Sequence, residues 1–486
     1  MGLVNVLFAI ILILGFGFFT INIRKIIRNI KLGQEVNRSD NPSLRWKNMA
    51  LIALGQSKMV KRPIAGLLHI IVYVGFIIIN IELLEIIIDG LFGTHRIFSS
   101  LGTLYDFLIG SFEILAFLVL VAVVIFYIRR NIIKLNRFIN NDLKGWPKND
   151  ANYILYFEIV LMSLFLLMNA ADLHLQNVPG GFGHYIKAGS FPISQFLVPI
   201  FNGLSVSSVF LLERTFWWFH IIGILAFLNY LYFSKHLHIF LAFPNTYFAN
   251  LNPAGQFDNL DSVTKEVKLM MDPNADPFAA APVDENAVTS KFGASDVQDL
   301  NWVQLLNAFT CTECGRCTSV CPANQTGKKL SPRKIMMDTR DRLVEVGNNI
   351  DKNKGVFIPD NVTLLNNYIS AEEIWACTSC NACVEECPVN INPLSIIMKL
   401  IISLFSFIEI SIFPLKLALS IFLSCILSIE FLIKLKKTLL NCSLSEFKRI
   451  LDLLDLKSII ILLSNSYNHS SFCFDTFSSK TSATSA

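Results

Sequence analysis

Five apolar stretches, at about 3–23, 64–88, 107–128, 152–170 and 215–243, are each long enough to cross the roughly 30 Å hydrocarbon layer of a bilayer. A sixth, Phe196 to Leu212, is broken by Pro199, Asn202, Gly203 and several serines, and reads as an interfacial or re-entrant segment. From Pro244 the pattern turns polar, with Asn-Pro, Asp-Pro and Ala-Ala-Pro punctuation that marks a linker to residue 299. A compact segment follows at 300–395, in which Ser331 to Val346 is predicted helical, opening on Ser331 as cap and Pro332 as first helical residue. The pattern therefore predicts an all-α chain. Residues 1–243 form a five-span transmembrane bundle, 244–299 a linker, 300–395 a second, compact helical domain, and 396–486 an atypical tail.

Composition agrees with a lipid-facing chain: 53% of residues are hydrophobic and 16% charged, with a mean hydropathy of +0.51. The first apolar stretch has no basic residue in Met1 to Asn5 and no Ala-x-Ala site after it, so it is expected to be a retained helix rather than a signal peptide. Val6 stands where a myristoylation motif needs Ser or Thr. The net charge of +4 does not point to nucleic acid. It is the placement of Lys and Arg that informs. Ten lie between spans one and two (Arg24 to Arg62), and six between spans three and four (Arg129 to Lys148). The opposite loops hold little beyond Arg96, Lys187 and Arg214. The positive-inside rule then expects a multi-pass protein of the cytoplasmic (inner) membrane, with its N-terminus outside and everything after Phe243 inside.

Eight of the eleven cysteines form two runs. Cys311, Cys314, Cys317 and Cys321 recur as Cys377, Cys380, Cys383 and Cys387, each displaced by 66 residues, and Pro322 recurs as Pro388. Clustered thiols indicate metal binding in a reducing compartment, not a disulfide framework. One Cys-x2-Cys-x2-Cys loop can wrap three corners of an iron–sulfur cube, and in two-cluster ferredoxins the fourth cysteine of each run serves the other cluster. This expects one [4Fe–4S] cluster on Cys311, Cys314, Cys317 and Cys387, and a second on Cys377, Cys380, Cys383 and Cys321. Paired zinc sites would not call for the third Cys-x2-Cys step or the following proline. The 55 residues between Cys321 and Cys377 predict intervening helices rather than a compact β-rich ferredoxin.

A haem held between helices needs neutral imidazoles facing inward at matching depth. His69 lies six residues after Pro63, and His238 six before Pro244, so both sit about 9 Å inside the same edge and are expected to be an axial pair. His220 and His238, 18 residues apart, would share one face of span five across five turns, while His236 would point away. His220 has no histidine at its depth in span two, where Ile79, Asn80 and Ile81 stand, and His174 is its remaining candidate partner. One haem b is expected and a second is left open. Glu82, Glu85, Asp172 and His174 are candidates for a quinol site. His95, His184 and His469 receive no functional reading.

With these motifs in hand, the bundle resembles the haem b-binding gamma subunit of respiratory nitrate reductase and the membrane subunit of heterodisulfide reductase, through His69, His220 and His238 and five spans of one orientation. The cysteine region, with Cys311-Thr-Glu-Cys314-Gly-Arg-Cys317-Thr-Ser-Val-Cys321-Pro322 and Cys377-Thr-Ser-Cys380-Asn-Ala-Cys383-Val-Glu-Glu-Cys387-Pro388, resembles the iron–sulfur subunit of heterodisulfide reductase and the anchor subunit of anaerobic glycerol-3-phosphate dehydrogenase. The resemblance implies that residues 300–395 are an α-helical ferredoxin domain with two cluster motifs, and that menaquinone or another quinone is the redox partner. It also implies a cytoplasmic cysteine-rich-domain oxidoreductase subunit that does the substrate chemistry, so that this chain is a redox subunit with no substrate-catalytic residues of its own. Two departures stand out. The second haem ligand of span two, ten residues after the first, falls on Ile79, and no Cys-Cys pair for disulfide reduction is present. No Gly-rich loop for flavin or nicotinamide is visible either. The rival readings are a haem-free membrane anchor carrying a ferredoxin domain and a zinc-binding scaffold. Residues 399–486 lack Gly, Val, Met, Gln and Trp, and read as out-of-frame translation of an AT-rich gene in preference to a membrane hairpin, leaving Cys425, Cys442 and Cys473 without a cofactor.

Overall fold

The computed structural model describes residues 2–179, 182–183, 185–253, 256–257, 261–272 and 293–404. The expected tail, with Cys425, Cys442 and Cys473, lies outside the described residues, as do His184 and His469. Five helices are long and apolar enough to cross a membrane: Leu3–Ile30, Pro63–Phe92, Thr103–Ile132, Trp146–Gln176 and Val206–Phe233. Among the described residues there is no β-strand, only isolated bridges.

α1 (Leu3–Ile30) outruns its apolar stretch, and its basic end reaches past the membrane edge. A short α2 (Pro42–Met49) follows, and α3 (Pro63–Phe92) starts on Pro63, whose missing N–H is one that a first helical turn leaves unpaired. α4 (Thr103–Tyr127), α5 (Trp146–Gln176) and α6 (Val206–Tyr230) complete the bundle. Phe8, Ile86, Tyr105, Ile109, Phe112, Phe165, Trp217 and Ile221 form the core among them. The segment read as interfacial divides in two: 3₁₀ turns at Ser194–Phe196 and Val198–Phe201 lie outside the helices, and residues 206–212 open the fifth span.

The far end of that span also departs from expectation. The helix closes in a 3₁₀ turn at Leu231–Phe233, and Ser234 is extended. Ser234 Oγ accepts the backbone N–H of His236 at 3.0 Å, and Asp150 accepts that of Lys235 at 3.1 Å. A new helix, α7 (His238–Tyr247), begins on His238 itself. His220 and His238 therefore stand on different helices and do not share a face. A serine that caps outside a helix competes with the helical backbone, which is why the chain breaks at this residue. Pro244 lies inside α7, and Asn245 and Thr246 are fully buried, so the chain expected to be a linker from residue 244 is still packed structure through Tyr247. α8 (Asp261–Met271) lies further along it.

The cysteine region is built from α9 (Trp302–Thr310), α10 (Arg316–Val320), α11 (Pro322–Gln325), α12 (Pro332–Lys352), α13 (Ala371–Trp375) and α14 (Ala382–Glu385). Ser331 caps α12, and Pro332 is its first residue, as their order predicts. This region sits on the end of the bundle that carries the basic loops. The extended chain at Gln34 pairs with it through Gln34 N–H to Leu300 O (2.8 Å) and Trp302 N–H to Gln34 O (3.1 Å). Fully buried Arg333 makes a bidentate bond to Asp142 (2.6 and 3.1 Å), the geometry in which a buried charge pair is best compensated. Asn245 donates to Val389 O at 2.7 Å, and Arg62 pairs with Glu386 at 2.7 Å. The two parts are thus joined from α1, the α2–α3 segment, the α4–α5 loop and α7.

Candidate redox centres

In each cysteine run the backbone twists at the same two places. Glu313 and Ser379, two residues after the first cysteine, have φ of 55° and 54°, and Gly315 and Asn381, one after the second, have φ of 74° and 61°. These pairs are again 66 residues apart. Left-handed residues at that spacing turn three cysteines toward one point and aim successive N–H groups inward, forming an anion-binding concavity. A Cβ on Gly315 would stand 2.6 Å from Arg333 Nη1, so a larger residue here would push the end of that side chain aside. The N–H of Glu313 faces the Cys311 sulfur, that of Ser379 faces Cys377, and Ile391 N–H donates to Cys387 Sγ at 3.3 Å.

Cys311, Cys314, Cys317 and Cys387 line one cavity of about 380 Å³, with Cys383 at its edge and Arg316, Arg333 and Met336 in its wall. Cys321, Cys377, Cys380 and Cys383 lie close enough to influence one another's charge. α10 and α14 pack together, so the two groups of thiols are neighbours. Burial pushes the Cys311 and Cys383 thiols up to about 12 and Cys387 up to about 11. Such thiols stay protonated until a metal displaces the proton. Among the described residues no three His, Cys, Asp or Glu groups converge on a single-ion site. Thiols arranged around a cavity suit a cube with four corners better than a zinc ion about 2.3 Å from each sulfur.

At the bundle end beneath this cavity, His69 and His238 face each other with ring centroids 6.5 Å apart and planes inclined by 40°. His238 Nδ1 lies 3.1 Å from Lys235 O, and His69 Nδ1 is buried with no partner. His236, expected to point away, stands 5.3 Å from the His238 ring and 5.4 Å from Phe227. The helix break at Ser234 brings it back. Lys235 connects the two levels: its ammonium pairs with Glu313 in the first cysteine run, and its carbonyl meets His238. Arg340 holds the other oxygen of Glu313 at 2.9 Å. Although burial opposes it, these two cations keep the Glu313 carboxyl below its usual range.

His220 lies one level further from the clusters, buried, with Nδ1 3.1 Å from Leu161 O. It lines a cavity of about 690 Å³ together with Ile79, Asn80, Glu82, Glu158 and Phe165. Ile79 shares this cavity with it, and His174 does not; His174 packs near Phe201, ring centroids 6.3 Å apart. Two other acids expected at a quinol site are committed elsewhere. Asp172 pairs with buried Arg96 at 2.5 Å, and Glu85 accepts Tyr105 O–H (3.0 Å) and Phe98 N–H (2.9 Å). Glu82 is 3% exposed, and its Oε2 has no partner. Glu158, Lys235, Glu313 and Arg316 escaped the reading of the sequence. An acid within an apolar span would have signalled Glu158; nothing local marks the other three.

Residues 310–391 match the 4Fe-4S dicluster domain family. The chain is 29% identical over 412 residues to a probable iron–sulfur-binding oxidoreductase of Bacillus subtilis, covering 79% of this chain and 53% of that protein. It is 26% identical over 392 residues to the EtfAB:quinone oxidoreductase of Syntrophomonas wolfei, covering 75% and 49%. A probable membrane-anchored ferredoxin of Chromohalobacter salexigens is 32% identical over 133 residues, 24% of this chain and 19% of that protein. The chain thus spans about half the length of the first two relatives. No solved structure matches. The chain thus joins five helices long and apolar enough to cross a membrane to a 4Fe-4S dicluster domain.

Proposed function

We propose that this chain relays electrons between a membrane quinone, one haem b on His69 and His238, and two [4Fe–4S] clusters, to or from an oxidoreductase partner on the cluster side. The observation that carries the reading is the 6.5 Å separation of the His69 and His238 rings. A ring nitrogen lies about 1.2 Å from its centroid and a metal–nitrogen bond is roughly 2.0–2.1 Å, so two imidazoles on opposite sides of one iron have centroids about 6.5 Å apart. The donor chemistry fits as well. When Nδ1 of His238 donates to Lys235 O, the lone pair is left on Nε2, as a metal-bound imidazole requires.

Haem and clusters supply one-electron chemistry; the chain supplies position and electrostatics. Cys311, Cys314, Cys317 and Cys387 would hold the first cluster, and Cys377, Cys380, Cys383 and Cys321 the second, with the shared cavity edge at Cys383 keeping them close. The cavity shared by Glu82, Glu158 and His220 has the mainly apolar lining of a small-molecule site and would take a quinone head group, with Glu82 to accept or return its proton and Nε2 of His220 to accept a hydrogen bond from the quinol hydroxyl. Basic loops on the cluster side favour placing that side in the cytoplasm and the N-terminus outside. The likeness to a quinone oxidoreductase supports the quinone link, and the likeness to longer oxidoreductases, of which this chain covers about half, supports a separate substrate-converting unit.

The test is a reduced-minus-oxidised optical spectrum of the detergent-purified chain, with iron and acid-labile sulfide assayed on the same sample. The expected result is a b-type band with one haem per chain and about eight cluster irons. Clusters without haem would leave a membrane-docked ferredoxin and overturn the relay.

A further inference from the structure

The two cysteine runs share a backbone but differ in charge. At the position before the third cysteine the first run has Arg316 and the second Ala382, 66 residues on. Arg316 is 3% exposed and lines the cavity of Cys311, Cys314, Cys317 and Cys387. Its guanidinium reaches out of the cysteine domain to the bundle, donating to Lys58 O and Met59 O (both 3.2 Å) and to Met59 Sδ (2.9 Å). None of these carries charge. Of the charges lining this cavity, Arg333 is balanced by Asp142, and Glu313 by Lys235 and Arg340; Arg137, beside Cys314, likewise has no carboxylate partner among the described residues. Lys58, Lys61 and Arg62 are balanced by Glu385 and Glu386. Among the described residues Arg316 has no carboxylate partner. A buried guanidinium without one is costly, and the natural counter-charge at this place is an anionic cluster held by four thiolates.

We infer that Arg316 sets the first cluster at a higher reduction potential than the second, making the first the resting place of an electron at the boundary between bundle and cysteine domain. Reduction adds one electron and no proton, so it raises the cluster's negative charge by one unit. A fixed positive charge in a dry wall favours that state over the oxidised one. The cluster of Cys377, Cys380, Cys383 and Cys321 has no such charge in its loop. One of its ligands, Cys380, is exposed, whereas none of those of the first is. Arg316 is a positioning and tuning residue, since it touches the cluster's cavity and neither quinone nor partner.

This inference rests on the two-cluster reading and on no haem or quinone assignment. Iron and sulfide are assayed first; fewer than about eight irons in the unmodified chain would break the two-cluster reading itself. An EPR-monitored redox titration of the full detergent-purified chain then compares Arg316→Gln and Arg316→Lys. The Gln variant is expected to lower one cluster midpoint by more than 59 mV, a tenfold change for one electron, leaving the other in place, and the Lys variant to restore most of it. Cys380→Ser, which removes a ligand of the second cluster, identifies the signal that moves. Unshifted midpoints with the irons retained, or a shift in the second cluster, would overturn the proposal. Should Arg316→Gln lose its clusters, Ala382→Arg decides: the second midpoint is expected to rise by a similar amount, and a midpoint that stays put overturns the proposal.

Discussion

The two ends of the bundle use histidine differently. At the cluster end, His69 from α3 meets His238 at 6.5 Å, and the carbonyl of Lys235 orients the second ring. One level away, His220 from α6 shares its cavity with Ile79 and the unpartnered oxygen of Glu82. Both levels are buried and both place Nδ1 against a backbone carbonyl, so burial and tautomer do not separate them. What separates them is the second donor. On the proposed reading, the pair of imidazoles at matched depth would hold a metal, whereas the one imidazole beside a carboxyl would serve a ligand that carries protons. The end facing away from the clusters also holds a buried polar network. Arg96 ties Asp172, Tyr105 and Asn169 into a single buried network, while Glu82 and Glu113 each keep a buried carboxyl oxygen without a partner.

The comparison breaks most completely at the paired histidines. His69→Ala or His238→Ala is expected to abolish the b-type band while about eight cluster irons remain; a variant that keeps full haem would dissolve the distinction between the two ends. The converse change sharpens it. Ile79→His places a second imidazole in the cavity of His220, and haem content, read by pyridine haemochrome, is expected to rise from one to two per chain. A rise in the Ile79→His chain that persists when His220→Ala is added would show that His220 is not the partner.

The sequence carried these two levels unequally. Spacing alone drew the cysteine runs, because thiol ligands repeat in register and one backbone twist serves both. Span count and the cap at Ser331 were equally legible, each resting on local chemistry that tertiary contacts reinforce. The pairing of His69 with His238 was reached from their distance to Pro63 and Pro244, yet the single straight helix assumed for the second half of that argument is absent. Ser234 ends it, and a lone serine among Phe233, Lys235 and His236 gives little warning against the apolar pattern around it. The side chain of Lys235 was invisible for a different reason. Its partners Glu313 and Asp150 lie 78 and 85 residues away in sequence, and no periodicity reports such a meeting. Asp172 and Glu85 illustrate the same limit, since only the fold shows that Arg96 and Tyr105 already engage them.

Two smaller effects probe what each end is tied to. Glu82→Gln keeps the size of the side chain and removes its capacity to take a proton, so quinol-driven haem reduction is expected to slow on the order of 10²-fold, the usual worth of a general base. Haem and iron content should not change, and an unaltered rate would remove Glu82 from the site. Lys235→Met acts at the other end and more weakly. Breaking a buried ion pair costs about 3–5 kcal/mol, but Glu313 keeps Arg340 at 2.9 Å, so roughly 1–3 kcal/mol is expected. It should appear as earlier release of cluster iron on heating the detergent-purified chain. The haem band should hold its position, because the bond to His238 comes from the backbone of Lys235 and survives the substitution. If iron release is unchanged and the haem band moves instead, the ammonium is serving the histidine and not the cysteine loop. The cluster end would then be two separate sites in contact, in place of one site fastened through a single residue.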